Sequence, residues 1–280
     1  MKSLLKKLTI LFFILSLSLS FVPSPCFEIT KAQTSPMLAI VIDDFGGYEQ
    51  GGVETMLSIN APLTCAIMPN LENTFINTQQ ALEANKEVIV HMPMQASVNL
   101  PEMWYGTNYI KINDTTEQIN KKLDLAFSSV KNAKGFNIHI GSGVCQHYQP
   151  IKDIYNYAIK NNLFFLDSRT HTNTVCQTVA KDLNVIYLGR DEFLEPKGFK
   201  SYEGAKHHLM VAANLAKEKG YAIAIGHVGN HGGESTAQAI KDCLKDIESL
   251  GVKIVPLSEI YQNLSSKYVS KKTQNNISKN

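Results

Sequence analysis

The sequence predicts an α/β protein built as a (β/α) barrel of seven or eight mostly parallel strands, with room for irregular or incomplete closure. From residue 37 onward, short apolar runs alternate with longer segments of helical periodicity, which is typical of a parallel sheet. The runs are rich in Val, Ile, Leu and Phe, as in strands buried on both faces. No G-x-G-x-x-G or Walker motif follows the first run, so a nucleotide-binding open sheet loses its usual support.

Eight strands are predicted from these apolar runs. In chain order they cover residues 37–42, 63–68, 87–91, 135–140, 163–166, 184–188, 221–226 and 253–256. Three intervening segments have the clearest helical pattern, residues 115–132, 202–219 and 233–250. The first begins with a Thr-Thr-Glu-Gln capping signal. The other two are followed by Gly220 and Gly251, where helix stops are expected.

The first 32 residues are predicted to lie outside the barrel. Lysines precede a mostly apolar stretch at 8–21, which indicates a secretory signal peptide. The stretch is shorter than the roughly 20 residues of a membrane-spanning helix. A poor cleavage site near Ala32 leaves an uncleaved anchor open. We therefore expect a secreted or extracytoplasmic protein that touches a membrane only through this segment, if it is uncleaved.

The rest of the chain divides into the barrel, residues 37–264, and a polar tail, residues 265–280. The tail is rich in Ser, Lys, Asn and Gln and is predicted to be disordered. The formal net charge is +2, and residues 1–32 contribute +3, so the remainder carries −1. A near-neutral domain gives no support for nucleic-acid binding.

The five cysteines do not form a metal-binding pattern. None shows C-x-x-C spacing, which makes a thiolate zinc site improbable. Export would permit disulfides. Cys145 and Cys176 could form one, and the sequence does not decide whether they do.

Polar residues stand at the ends of several predicted strands. Asp43-Asp44, His91 and His139 end the first, third and fourth runs, and Asp167 and His227 end two later ones. Buried carboxylates need a partner, and a carboxylate with two imidazoles can hold a catalytic divalent metal. Any one of these residues alone is more simply a satisfied core residue or a turn cap. Their shared position at the carboxyl ends of barrel strands favours one metal-containing active site.

Six stretches, taken in order, carry a family resemblance. They are Ala39-Ile-Val-Ile-Asp-Asp-Phe-Gly46, His91-Met-Pro-Met94, Asn137-Ile-His-Ile-Gly-Ser142, Phe165-Leu-Asp-Ser-Arg-Thr170, Arg190-Asp-Glu-Phe-Leu194 and Ala224-Ile-Gly-His227. Spread over residues 37–262, they resemble the divergent polysaccharide deacetylases. These are distant relatives of the metal-dependent carbohydrate esterases, with which they share a (β/α) barrel.

The resemblance implies a role for each matching residue. Asp44 is the expected carboxylate ligand of the metal, and His91 and His139 are the expected imidazole ligands. Asp43 is the expected general base, which takes a proton from the attacking water. His227 is the expected general acid. An acid distinct from the base suits the chemistry, because the leaving amine must be protonated.

Asp167 and Arg169 match a pair expected to orient the base or its neighbours, and a plain structural salt bridge is the equal alternative. The chain departs from the family where Asn-Asn-His is usual, because Ile138 replaces the second Asn. His231 lies in the loop after His227 and could be a metal ligand or a general acid. A solvated loop histidine is the interpretation favoured about twofold.

The longest stretch between predicted elements, residues 92–114, contains Trp104, Tyr105 and Tyr109. A long aromatic loop above a barrel rim suits a platform for a sugar ring. Ordinary loop packing explains the same residues equally well.

The resemblance implies a metal-dependent hydrolase that removes acetyl groups from an extracellular or cell-wall polysaccharide. The expected cofactor is a divalent transition metal, with Zn²⁺ favoured, although the donor set also suits iron, cobalt, nickel or manganese. One alternative is a glycan- or wall-binding protein on the same barrel with weak or lost turnover. Another is metal-assisted hydrolysis of a different amide or ester. The sequence leaves the sugar and the acyl group open.

Overall fold

The computed structural model describes residues 35–197 and 200–277. Within this part of the chain one sheet contains nine strands. In chain order they are β1 Met37–Phe45, β2 Thr64–Ile67, β3 Glu87–Met94, β4 Gly135–Ile140, β5 Phe164–Asp167, β6 Leu188–Gly189, β7 Glu192–Phe193, β8 Tyr221–His227 and β9 Lys253–Ile254.

Helices fill most of the connections. They are α1 Val53–Ser58, α2 Thr74–Glu83, α3 Thr116–Ser129, α4 Tyr148–Lys160, α5 Cys176–Asp182, α6 Tyr202–Lys219, α7 Gly233–Ser249 and α8 Leu257–Ile277. Short 3₁₀ turns cover Glu102–Trp104 and Val144–Gln146. None of the helices in the described ranges combines the length and apolar character that crossing a membrane requires.

The strands form a curled, incompletely closed (β/α) barrel. The order across the sheet is β6-β5-β4-β3-β2-β1-β8-β7, with β9 paired to the start of β1, and the strand pairs are parallel. The open edges are β6 and β7, which are separated in sequence only by Arg190 and Asp191. This confirms the predicted fold class.

The shortest strands differ from the prediction. The strand predicted at 184–188 is reduced to Leu188–Gly189, and the one predicted at 253–256 to Lys253–Ile254. Glu192–Phe193 forms a strand that the sequence did not predict. All three are two residues long, and so short a run carries no periodic hydrophobic signal of its own. Neighbouring strands, rather than local pattern, decide where such pairing begins and ends.

Alternate residues of β1 pack into two different hydrophobic clusters. Leu38 and Ile40 belong to the larger cluster beneath the surrounding helices, whereas Ala39 and Val41 belong to the cluster inside the barrel. This is the two-residue periodicity of a strand. Leu257, in the first turn of α8, belongs to the inner cluster. Burial on both faces therefore explains the continuous apolar run that the sequence shows.

The structure describes only one of the two chain ends for which predictions were made. The predicted signal segment, residues 1–32, lies outside the described residues. The polar tail, for which disorder is predicted, is helical as far as Ile277. Its first part is supported by local bonds, since Ser265 and Ser266 donate to the carbonyls of Tyr261 and Gln262. The domain bounds 37–264 and 265–280 stay a prediction.

Four cysteines lie in the described residues, and all are buried free thiols: Cys65, Cys145, Cys176 and Cys243. The pairing of Cys145 with Cys176 that the sequence left open is therefore not made in this structure.

Parallel register brings the polar strand ends to one rim of the barrel. Asp43 of β1 is opposite His227 of β8, and His91 of β3 is opposite Asn137 of β4. His139 is opposite Pro93, two residues further along the same pair of strands. Functional sites of such barrels lie at this carboxyl-terminal rim. The fold therefore brings together residues that are up to 184 positions apart in the sequence.

Candidate active site

Asp44, His91 and His139 form a compact cluster of possible metal ligands at this rim. Asp44 Oδ1 lies 3.3 Å from His91 Nε2 and 3.2 Å from His139 Nδ1. The two ring nitrogens are 3.0 Å apart. Donor atoms that share one transition metal at about 2.0–2.2 Å have separations of this size. The three residues therefore fit a common divalent cation.

A break in strand register lets both adjacent aspartates face the cluster. Successive side chains of a regular strand point to opposite faces. The pairing of β1 with β2 shifts between Ile42 and Phe45, and Asp44 has a left-handed φ of 71°. Asp is among the few residues that tolerate this conformation. Both carboxylates consequently approach His91 Nε2, Asp44 at 3.3 Å and Asp43 at 3.6 Å.

The hydrogen bonds around the two histidines indicate which ring nitrogens are free to bind metal. The side-chain amide of Asn137 donates to Asp43 Oδ1 over 2.8 Å, so its carbonyl oxygen faces His91 Nδ1 at 2.7 Å. His91 Nδ1 then carries the proton, and in the neutral ring that a metal requires the lone pair of Nε2 points into the cluster. His139 Nε2 likewise donates to the Trp104 carbonyl over 3.1 Å, which leaves the lone pair on Nδ1.

The donor set is chemically suited to a cation. Imidazoles that bind a metal are neutral, and two neutral rings with lone pairs 3.0 Å apart would repel each other without a cation between them. Asp44 Oδ1, which is buried, finds no hydrogen-bond partner among the described residues. A buried acceptor without a partner is costly. A divalent metal would satisfy all three atoms at once, so the residues fit the group that the family resemblance implies.

Asn137 joins the metal cluster to the expected base, and sequence reasoning did not assign it a role. It is fully buried and contacts both His91 and Asp43. Such outer hydrogen bonds fix the tautomer and orientation of a metal ligand. A signal was available, because Asn137 lies two residues before His139 on the same strand and so shares its face.

Asp43, the expected general base, is 2% exposed. Burial raises the pKa of its carboxyl group, while His91 and His227 act in the opposite direction. A raised pKa brings a carboxylate closer to the range in which it can accept and release a proton near neutral pH.

His227, the expected general acid, is held by Glu195, a residue that sequence reasoning missed. His227 Nδ1 lies 3.1 Å from Glu195 Oε2, and the His227 backbone N–H donates to Glu195 Oε1 over 3.1 Å. Thr236 also donates to Glu195 Oε1, over 2.5 Å. Burial opposes charge on His227, but Glu195 and the nearby aspartates outweigh it and raise the pKa to about 9. Glu195 closely follows the end of β7, but that strand was not predicted, so no strand-end signal marked it.

Replacing Glu195 by Gln is expected to lower the pKa of His227. The substitution removes the carboxylate that raises this pKa, while the burial that lowers it remains. The alkaline limb of the pH–activity profile should therefore move to lower pH. Titration of His227 by NMR in the metal-free chain measures the shift directly.

Glu192→Gln is the matched control, because Glu192 bonds His208 at 2.7 Å rather than His227. It should leave the pKa of His227 near that of the wild type. An unchanged His227 pKa in Glu195→Gln would show that Glu195 has only a structural role and does not tune the acidity of His227.

Asp167 and Arg169 do not form the direct pair that the sequence suggested. The fully buried Asp167 carboxylate accepts from the Arg169 backbone N–H over 2.8 Å, and from the Thr174 and Tyr187 hydroxyls over 3.0 Å each. The Arg169 guanidinium instead contacts Tyr187 and the Arg190 carbonyl. These contacts hold the turn after β5. They do not support a role of Asp167 and Arg169 in orienting Asp43, which stays a prediction.

Two further residues that the sequence analysis singled out, His231 and Ile138, line the site. His231 is 53% exposed, and its Nδ1 lies 3.6 Å from Asp44 Oδ2. It therefore stands at the mouth of the site, in solvent and yet beside a metal-ligand carboxylate. Ile138 is buried, and its backbone N–H donates to Ser168 Oγ over 3.2 Å.

The aromatic residues of the long loop differ in how deeply they are buried. Tyr105 is 4% exposed and stacks on Tyr109 with ring centroids 4.5 Å apart. Trp104 is 55% exposed, and its carbonyl is the one that His139 contacts. Packing thus explains the tyrosines. Trp104 is the most exposed of the three, and its backbone carbonyl lies beside the cluster.

The candidate site opens into one cavity of about 480 Å³. The metal-ligand cluster, Asp43 and His227 line it, and Phe193 and Ile225 contribute apolar wall. The arrangement places the candidate cation ligands, the expected base and the expected acid around one space, which suits hydrolysis of an amide or ester.

Comparison with known proteins gives a family and a fold. Residues 40–261 match the family described as divergent polysaccharide deacetylase. An uncharacterised protein of Haemophilus influenzae Rd is 28% identical over 215 residues, which are 77% of this chain and 75% of that protein. The uncharacterised protein YibQ of Escherichia coli K12 is 28% identical over 205 residues, 72% of this chain and 62% of that protein.

The fold is shared with a solved structure. The crystal structure of an uncharacterised protein from Agrobacterium tumefaciens C58 superposes with a TM-score of 0.72 at 18% identity, covering 81% of this chain and 89% of that one. At this identity the likeness establishes the architecture alone.

Proposed function

The chain belongs to the divergent polysaccharide deacetylase family, and on this premise we propose that it is a metal-dependent hydrolase that removes acetyl groups from an extracellular or cell-wall polysaccharide. The observation that carries the proposal is the cluster of Asp44, His91 and His139, whose donor atoms lie 3.0–3.3 Å apart. Asp43 and His227 line the same cavity and supply a base and an acid.

Asp44, His91 and His139 would hold the metal. A divalent transition metal held there would supply polarisation of the acyl carbonyl and a lowered pKa of water, which the hydrolysis of a poorly reactive amide requires. We propose Zn²⁺, because two imidazoles and one carboxylate suit it, as they also suit several neighbouring metals.

Asp43 supplies the base. Its Oδ1 is fixed by the Asn137 amide, which leaves Oδ2 as the oxygen that faces the cluster, 3.6 Å from His91 Nε2. A carboxylate held in one orientation next to the reacting centre accepts a proton without the cost of reordering.

His227 supplies the acid. A pKa of about 9 keeps its ring protonated at neutral pH, and Glu195 accepts the Nδ1 proton. Nε2 is then the nitrogen that can donate to the leaving amine or alkoxide. The Phe193 ring meets the imidazole edge-on with centroids 4.9 Å apart and limits its rotation.

The proposed location is extracytoplasmic. Its support is the basic and apolar pattern of residues 1–32, together with a substrate class that lies outside the cell. Fractionation of cells that produce the full chain would test this, and recovery of the protein only from the cytoplasm would contradict it.

The test of function is acetate release by the purified full chain. Penta-N-acetylchitopentaose offers N-acetyl groups and acetylated xylan offers O-acetyl groups. We expect release from at least one of them, loss of release after chelation, and recovery on adding Zn²⁺.

Release that persists without metal would contradict a metal-dependent mechanism. Glycan binding by metal-loaded protein with no release would favour the binding-protein alternative. Release from simple esters or other amides, but not from either glycan, would favour a different metal-assisted hydrolase on the same site.

A further inference from the structure

The use of arginine in this chain is unusual. Lysine and arginine together number 27, but only two of these residues, Arg169 and Arg190, are arginine. Both line the cavity that contains the metal-ligand cluster. Lysine serves at the other 25 cationic positions. Arginine differs from lysine in its planar fork of donors, which matches oxyanions, so its restriction to this cavity indicates a need for that geometry.

The two guanidinium groups hold each other's backbone. Arg169 Nη1 donates to the Arg190 carbonyl over 2.7 Å, and Arg190 Nη2 donates to the Arg169 carbonyl over 3.1 Å. The Nε atoms donate to Tyr187 Oη over 3.1 Å and to the Ser168 carbonyl over 2.8 Å. These bonds fix both side chains, which link the turn after β5 to the segment between β6 and β7.

These contacts leave donors and positive charge unused. A guanidinium has five N–H groups, and each arginine engages two of its nitrogens, with neutral oxygens only. Among the described residues neither forms an ion pair with a carboxylate. Burial and the neighbouring Arg169 charge lower the pKa of Arg190, although Glu192, Asp167 and Asp43 oppose this. The pKa of Arg169 is raised despite its burial, chiefly by Tyr187 and also by Asp191 and Asp167. Two fixed guanidinium groups with unused donors can bind an anion through charge-assisted hydrogen bonds.

The position of the pair relates it to the reaction. Arg190 Cζ lies 4.9 Å from the centroid of the Phe193 ring, and the same ring contacts His227. Ser168 and Thr170 line the same cavity as the arginines and the metal-ligand cluster. An anion held by the arginines would therefore sit within one cavity with the expected acid and base.

We propose that Arg169 and Arg190 form an oxyanion-binding subsite, which recognises a carboxylate or phosphate substituent of the glycan near the acyl group that is removed. The inference deepens the proposed function, on which it rests, by naming an acidic glycan as the substrate class. Free guanidinium donors favour such a glycan over a neutral one, which would leave them unpaired in the bound state.

The test is direct binding of small probes to the full chain, followed by NMR titration. The probes are D-glucuronate, D-glucose 6-phosphate and, as the neutral match, methyl glucoside. The protein is kept metal-free by chelation, so that a cation does not bind the anions. We expect both anionic sugars, or one of them, to bind at least about tenfold more tightly than methyl glucoside, as for charge-assisted hydrogen bonds. The better anionic probe tells carboxylate from phosphate.

Arg169→Gln and Arg190→Gln should each remove most of this preference. Lys219→Gln is the control, because Lys219 pairs with Asp191 at 3.2 Å and does not line the cavity. Arg190→Lys keeps the charge but loses the fork, and should bind the anions more weakly than the wild type. Thermal unfolding checks that each variant is folded.

Equal binding of anionic and neutral sugars by the wild type would overturn the inference without reference to any variant. So would folded arginine variants that keep the preference, since the arginines would then serve the loops alone. Because binding needs no turnover, failure here leaves the deacetylase proposal standing. Anion binding by a protein that releases no acetate would instead retain the subsite and contradict the proposed activity.

Discussion

Asp43→Asn is expected to lower acetate release by about 10²–10⁴-fold, the usual contribution of a general base, while leaving the bound metal in place. Asp43 is not one of the three clustered donors, so the cation should stay. An Asn oxygen can still accept from the Asn137 amide, which now meets Asp43 Oδ1 at 2.8 Å. Only the ability to take up a proton is lost. Steady-state kinetics and elemental mass spectrometry on the same sample measure both quantities.

Asp153→Asn is the matched control, because Asp153 is also buried but lies on α4 and accepts from Gln149 over 3.0 Å. It makes the same chemical change away from the cavity and should keep wild-type turnover. Turnover of Asp43→Asn within about threefold of the wild type would exclude Asp43 as the base, given the size of such contributions. Loss of the metal in Asp43→Asn would instead make Asp43 a ligand.

The second large effect concerns the metal itself. Wild-type protein is expected to bind about one equivalent of a divalent transition metal, and His91→Ala combined with His139→Ala should bind none. The double substitution leaves Asp44 as the single clustered donor, and one carboxylate does not hold such a cation against water. Elemental mass spectrometry after dialysis gives the stoichiometry. The wild type alone should gain thermal stability on adding Zn²⁺, because a ligand stabilises the state that binds it.

His147→Ala combined with His207→Ala removes two exposed imidazoles that lie outside the cavity. This control should retain the full equivalent of metal. A wild type that takes up no metal, even after incubation with Zn²⁺, Co²⁺, Ni²⁺ and Mn²⁺, would contradict the hydrolase mechanism. A metal-free binding protein would then be the better account of the fold.

The two predictions depend on different residues and separate the competing interpretations. Metal binding by a wild type that releases no acetate would describe a cation-stabilised binding protein. Metal together with a large effect of Asp43→Asn would describe an enzyme. Their joint outcome thus distinguishes the hydrolase from the alternative that the same barrel has lost useful turnover.

Much of the site follows from the sequence because of one topological rule. In a parallel barrel every strand ends at the same rim, so residues at the ends of separate apolar runs must converge. That rule alone predicted that Asp43, Asp44, His91, His139 and His227 would meet, and the structure brings all five to one cavity. The sequence prediction also includes incomplete closure, but it does not place the opening between β6 and β7.

The contacts of Asn137, Glu195 and the arginine pair became visible only in the folded chain. Their roles depend on side-chain direction and loop path, which a one-dimensional pattern does not carry. Asn137 bridges two strands, and Glu195 reaches His227 across a sequence separation of 32 residues. Asp167, by contrast, lies at a strand end as predicted. Its carboxylate is bound by the Arg169 backbone and the Thr174 and Tyr187 hydroxyls rather than by the predicted Arg169 side chain.

The sequence by itself determined the barrel and the set of groups at its rim, because periodicity and strand ends are local properties of the chain. The tertiary structure decided which of those groups touch. The register shift and left-handed backbone at Asp44 turn two neighbouring carboxylates toward one point. Hydrogen bonds from distant segments then select the ring nitrogens that face it. Such contacts join residues far apart in sequence, so their geometry is set only when the strands pack together.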